Sequence, residues 1–145
     1  MFVHATCVAL KQGRSWRAVL LRGPSGAGKS DLALRLIELD ARLVADDQTH
    51  LARRGRTLIA TPPTALAGLI EVRGVGIVKL GKTRLLARAP LCLLVDLVAP
   101  AEVERLPEPA YEVIEGLALP RLALAPFEAS TATKLRLALS QITAA

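Results

Sequence analysis

Aromatic residues are scarce in this 145-residue chain, where Phe2, Trp16, Tyr111 and Phe127 belong to a class making up 3%. Rings so few and so dispersed do not build a base-stacking platform, and the Lys and Arg residues form no long tract. The net charge of +6 and pI near 10.0 suit nucleotide phosphates or an acidic protein as well as they suit nucleic acid, which is therefore the weaker reading. Only two cysteines occur. Cys7 and Cys92 sit inside apolar runs without the spacing of a zinc site, so they read as buried thiols. No apolar stretch is long enough to span a bilayer, and Met1-Phe2-Val3-His4 does not open a signal peptide, so no membrane partner and a cytoplasmic location are expected.

What the chain does have is aliphatic bulk, with 52% hydrophobic residues. That suffices for one compact domain over residues 1–145, its core layered from Leu, Val, Ile and Ala, and α/β is the natural class. Val3 to Leu10 and Arg17 to Leu21 read as strands of a hairpin folded about Gly13 and Arg14, a register that brings His4 opposite Gly23. Lys29 to Leu39 is a helix, because Leu32, Ala33, Leu36 and Ile37 recur at helical spacing. Arg42 to Ala45 reads as a strand, and Thr49 to Arg53 with Arg56 to Ala60 as a hairpin stopped by Thr61-Pro62-Pro63. Leu69 to Val72, Ile77 to Leu80, Leu91 to Val98, Tyr111 to Ile114 and Arg121 to Leu124 are further strands, before an amphipathic helix over Thr131 to Ile142.

The strongest local signal is Gly23-Pro24-Ser25-Gly26-Ala27-Gly28-Lys29-Ser30, which fits G-x-x-x-x-G-K-[ST] between a strand and a helix. Gly26 and Gly28 let backbone amides converge on phosphate oxygens, at the positive end of the following helix. Lys29 supplies charge to the outer phosphates and the Ser30 hydroxyl a ligand for Mg²⁺. Asp46-Asp47 ends the next strand and falls at the same edge of a sheet. Alternation sends adjacent side chains to opposite faces, so only one of the pair addresses the phosphates unless the backbone turns. Taken alone, the pair equally reads as a turn with solvated acids. Glu71 and Arg73, one residue apart, share a face in an extended segment; from spacing alone they also read as a surface ion pair.

Together His4, the loop from Gly23 to Ser30, Leu43-Val44-Ala45-Asp46-Asp47 and Glu71-Val72-Arg73-Gly74-Val75-Gly76-Ile77 resemble the catalytic domain of the HPr kinase/phosphorylase family. The resemblance runs through about Leu106 and fades beyond. It implies a P-loop kinase core akin to the nucleotide domain of phosphoenolpyruvate carboxykinase, with a mixed β-sheet, a P-loop helix and a C-terminal helix. It also implies an ATP- and Mg²⁺-dependent kinase that phosphorylates a serine of HPr, the phosphocarrier protein of the sugar phosphotransferase system, and that assembles as a homo-oligomer, a hexamer in the family. By motif position Asp47 is then the base, Lys29 the phosphate-binding lysine, and Ser30, Glu71 and Asp46 the metal side of the site. His4 stands beside the nucleotide phosphates, Arg73 is the signature arginine, and Arg105 matches a further family arginine.

Three departures stand out. The family's N-terminal domain has no counterpart in the chain. The C-terminal motif linked to removing phosphate from HPr is not found in Ala125 to Ser130, so the resemblance does not extend to phosphorylase activity. Asp40 stands where the family has glycine after the P-loop helix, a change aspartate's tolerance of the left-handed region permits. The readings weighed against an HPr-directed kinase are a small-molecule kinase and a nucleotide-binding regulatory protein without turnover.

Overall fold

The structure, a computed structural model, describes residues 1–142. The strands are β1 (Phe2–Val3), β2 (Thr6–Gln12), β3 (Ser15–Arg22), β4 (Arg42–Ala45), β5 (Thr49–Arg54), β6 (Thr57–Thr61), β7 (Leu69–Val72), β8 (Gly76–Lys79), β9 (Ala89–Leu97), β10 (Ala110–Ile114) and β11 (Leu117–Leu124). The helices are α1 (Lys29–Glu38) and α2 (Thr131–Ser140), joined to the strands by loops and short 3-10 turns.

Among the described residues nine strands form one mixed sheet, ordered β1-β5-β6-β9-β3-β2-β4, with β11 also on β9 and β10 on β11. Alternation along β2 and β3 sorts the core. Val8, Leu10, Val19 and Leu21 face α1 and α2, joining Leu32, Leu36, Leu135 and Leu139, whereas Cys7, Ala9, Ala18 and Leu20 face the layer of Leu51, Leu58, Ala60 and Leu119. Each leucine so buried stabilises the fold by about 1.5–3 kcal/mol, and the α1 stripe read from the sequence is the one that packs.

Direction matters more for function than strand count. β9 runs parallel to β3 and β11 parallel to β9, while β4 and β3 are both antiparallel to β2. The carboxyl ends of β3, β4, β9 and β11 therefore lie along one edge of the sheet, where α/β folds place ligands.

The first predicted strand is divided. Pairing of β2 with β3 stops at Thr6 opposite Leu21, and β1 pairs instead with β5. A continuous strand cannot follow both neighbours, so the chain bends at His4-Ala5. β11 begins at Leu117, four residues before the expected start, because Glu115 and Gly116 at φ 50° and 79° make a tight hairpin turn to β10. Asp40 takes φ 72°, the left-handed conformation anticipated for it.

Candidate active site

Between β3 and α1 the loop from Gly23 to Ser30 curls as its glycines allow, with Gly26 at φ 83° and Gly28 at φ 94°. Gly23 is required for a different reason: a Cβ there would sit 2.8 Å from the Cβ of Ala27 across the closed turn. The Ala27 N–H donates to the Pro24 carbonyl at 3.0 Å, which fixes that turn. Lys29 is buried, and its Nζ donates to the carbonyls of Gly23 (2.6 Å) and Pro24 (3.2 Å), so the ammonium lies across the loop it belongs to.

The two aspartates after β4 do different things. Asp46 is only 8% exposed. Its Oδ1 accepts from Ser30 Oγ at 2.7 Å and Thr6 Oγ1 at 3.0 Å, and its Oδ2 from the Glu71 N–H at 3.0 Å. Asp47 sits at φ 66°, so the backbone does turn between them. Its side chain is exposed and its Oδ1 lies 3.5 Å from His4 Nε2. The turn leaves Asp46 bonded to Ser30 of the loop, while Asp47 is exposed and contacts Thr6 and His4. Thr6, which the sequence reading missed, links them: its hydroxyl donates to Asp46 and accepts the Asp47 N–H at 3.2 Å.

Glu71 joins the site through its backbone. The extended segment that its same-face relation to Arg73 presumes stops short, because β7 ends at Val72 and Arg73 lies in the turn to β8, where Gly74 has φ 87°. Arg73 and Arg105 are both exposed, on separate loops, and neither has an ion-pair partner among the described residues. Ser30 Oγ and the Asp46 carboxylate form the kind of oxygen pair Mg²⁺ uses beside phosphates, since that ion keeps several waters and needs few protein ligands. Among the described residues no group of three His, Cys, Asp or Glu side chains could hold a metal by itself.

On the other side of the loop stands a charge network absent from the sequence reading. Arg22, the last residue of β3, forks onto Asp96 (Nε to Oδ1, 2.8 Å) and Glu112 (Nη1 to Oε2, 2.7 Å). Arg121 adds a 2.9 Å contact to Asp96. Hydrogen bonding to Arg22 holds the Glu112 carboxyl below the usual carboxylate range, and the Glu112 and Asp96 bonds push the Arg22 pKa further up. The only sequence signal was position, Arg22 adjoining Gly23 and Asp96 near the end of an apolar strand. A cleft of about 480 Å³ opens beside this network, with His4, Arg22 and Glu112 in its lining.

No helix among the described residues is long and apolar enough to cross a membrane. The structure superimposes on that of the Hpr(Ser) kinase/phosphatase from Coxiella burnetii with a TM-score of 0.81 and 25% identity, covering 97% of this chain and 88% of that one. An HPr kinase/phosphorylase of Leptothrix cholodnii is 39% identical over 117 residues, 74% of this chain and 36% of the relative. One of Shouchella clausii is 40% identical over 86 residues, 54% of this chain and 28% of the relative. The chain thus spans about a third of the length of these two curated relatives. The model of the HPr serine kinase C-terminal domain matches residues 3–130, past the point near Leu106 where the motif resemblance fades. With the P-loop, the aspartate couplet and His4 all inside that match, the chain belongs to the HPr serine kinase C-terminal domain family.

Proposed function

We propose that residues 1–145 work as one P-loop catalytic domain, an ATP-dependent kinase that phosphorylates a serine of an HPr-type phosphocarrier protein. The observation that carries this reading is the division of labour in the couplet: Asp46 buried on Ser30, Asp47 exposed beside His4.

In this scheme the amides of residues 25–30 and the Lys29 ammonium cradle the nucleotide's phosphates. Ser30 and Asp46, with Glu71 alongside, would hold Mg²⁺, which would supply charge neutralisation at the phosphate oxygens. Asp47 orients the acceptor serine and takes its proton, and its exposure gives a protein substrate access. His4 orients the Asp47 carboxylate or a phosphate oxygen next to it. Arg73 and Arg105 supply positive charge to the transferred group as the acceptor docks. The protein acts in the cytoplasm as a homo-oligomer, a hexamer by family resemblance, and the absence of a recognisable C-terminal motif in Ala125 to Ser130 puts the reverse, phosphate-removing reaction in doubt.

The test is incubation of the purified protein with MgATP and an HPr-type phosphocarrier, followed by mass spectrometry of the carrier. Phosphoserine that disappears with Asp47→Asn is the expected result. ATP binding without transfer would point to a regulatory nucleotide-binding protein, and transfer to a metabolite to a small-molecule kinase; either sinks the proposal.

A further inference from the structure

One aromatic side chain lies against the phosphate loop and takes no part in the chemistry above. A Cβ built on Gly28 would come within 2.8 Å of both Cε1 and Cζ of Phe127 and 3.1 Å of the Pro126 Cβ. The edge of the Phe127 ring therefore packs on the bare Cα of Gly28, yet the residue is 69% exposed, so most of the ring is presented to solvent beside the loop. An isolated exposed phenylalanine needs no explanation. One fixed against the residue that precedes the P-loop lysine does.

The segment carrying it is anchored at both ends. Arg35 of α1 donates to the carbonyls of Pro126 and Glu128. Thr131 Oγ1 donates to the Ala125 carbonyl, and Lys134 pairs with Glu128 at 3.0 Å. The ring is thus placed by the P-loop helix itself and by the start of α2.

Sheet order then says on which side of the loop the ring stands. Relative to β3, the couplet Asp46-Asp47 and Thr6 lie on the β2–β4 side, whereas Phe127 follows β11 on the β9 side. A triphosphate whose reacting end meets Ser30, Asp46 and Asp47 runs across the loop with its other end toward β11. Whatever the innermost, α-phosphate carries then lies on the side of the loop where the exposed Phe127 ring stands.

We propose that Phe127 stacks on the nucleobase of the bound nucleotide and so makes the site one for purine nucleoside triphosphates in preference to inorganic polyphosphates. This rests on the phosphate-binding reading of Gly23 to Ser30 and adds the base subsite to it. Stacking on one aromatic ring tolerates any purine, so adenine and guanine nucleotides are both accepted. Bare tripolyphosphate gains nothing from the ring.

The experiment is calorimetric titration of wild type, Phe127→Leu, Phe127→Ala and Phe127→Trp with MgATP and, separately, with magnesium tripolyphosphate. Phe127→Leu keeps apolar bulk over Gly28 without the π face, which separates stacking from loop support. The expected result is a loss of about tenfold or more in ATP affinity for the Leu and Ala variants. Tripolyphosphate affinity stays within twofold of wild type, and Trp binds ATP as well as Phe. Equal losses for both ligands would assign Phe127 to shaping the loop, and unchanged ATP affinity would remove it from the base subsite; either overturns the proposal. Failure of wild type to bind either ligand would overturn the phosphate-loop reading as well, and so differs from both.

Discussion

Replacing each aspartate of the couplet separately should divide stability from activity. Asp46→Ala deprives the Thr6 and Ser30 hydroxyls and the Glu71 N–H of their common acceptor. A hydrogen bond to a charged group contributes about 1.5–3 kcal/mol, and three at full value would exceed 5 kcal/mol. The two hydroxyls can rotate to other partners and Ser30 is partly exposed, so a net loss of about 2–4 kcal/mol is expected. For a chain of this size that lowers Tm by roughly 10 °C. Asp47→Gly removes an exposed side chain and relieves a φ of 66°, so stability should change by no more than about 1 kcal/mol. Both variants should lose phosphoryl transfer. Thermal and urea unfolding followed by circular dichroism measures the first difference, and carrier phosphorylation the second. If Asp46→Ala melts within 2 °C of wild type, or Asp47→Gly falls as far as Asp46→Ala, the assignment of inner and outer roles is wrong.

Gly28→Ala forces a side chain into φ 94° and against the Phe127 ring, so it should cost about 1–2 kcal/mol and weaken MgATP binding. Adding Phe127→Ala should restore part of the stability, a coupling that a double-mutant cycle in urea detects. Because Arg22 keeps the folded pKa of Glu112 below its ordinary 4.5, the stabilisation is present above that value and is lost as pH falls through the depressed one. Glu112→Gln should therefore lower Tm at neutral pH and converge on wild type in strong acid, as scanning calorimetry across pH would report. Burial pushes the Cys7 and Cys92 thiols up, Cys7 the further, and only Cys92 is partly exposed. A disulfide reagent should label Cys92 slowly in the folded protein and reach Cys7 only on unfolding, which mass spectrometry of digested samples resolves.

Much of this was legible because it is written locally. The P-loop needs glycine where φ is positive, and the α1 stripe needs aliphatics at helical spacing, so both show in consecutive residues. Asp40 in its left-handed turn was anticipated through the resemblance, from the glycine the family has there. What escaped depends on partners distant in sequence. Thr6 reads as an ordinary strand former until Asp46 is folded onto it, forty residues away. Arg22, Asp96 and Glu112 belong to three strands whose neighbourhood only the sheet order determines. The break at His4-Ala5 was hidden too, since an apolar run does not announce that its two ends will pair with different strands. The alternation rule does not reach Arg73 because β7 ends at Val72 and the turn through Gly74 follows at once.

The position of β2 explains why Thr6 is needed. Because β2 lies between β3 and β4, the end of β4 stands two strand spacings, about 9–10 Å, from the strand that launches the P-loop. A carboxylate cannot span that gap from the sheet edge alone. Helix α1 closes part of it by starting at Lys29 and carrying Ser30 toward β4, and Asp46 meets Ser30 at 2.7 Å. The remainder lies above the first residue of β2, where Thr6 is fully buried and places one hydroxyl against both aspartates. An aliphatic residue there would deprive the partly buried Asp47 N–H of its acceptor and leave a buried Asp46 lone pair unsatisfied, whereas threonine supplies a donor and an acceptor from one atom. The same hydroxyl that completes the sheet edge thus ties the backbone of the outer aspartate to the side chain of the inner one.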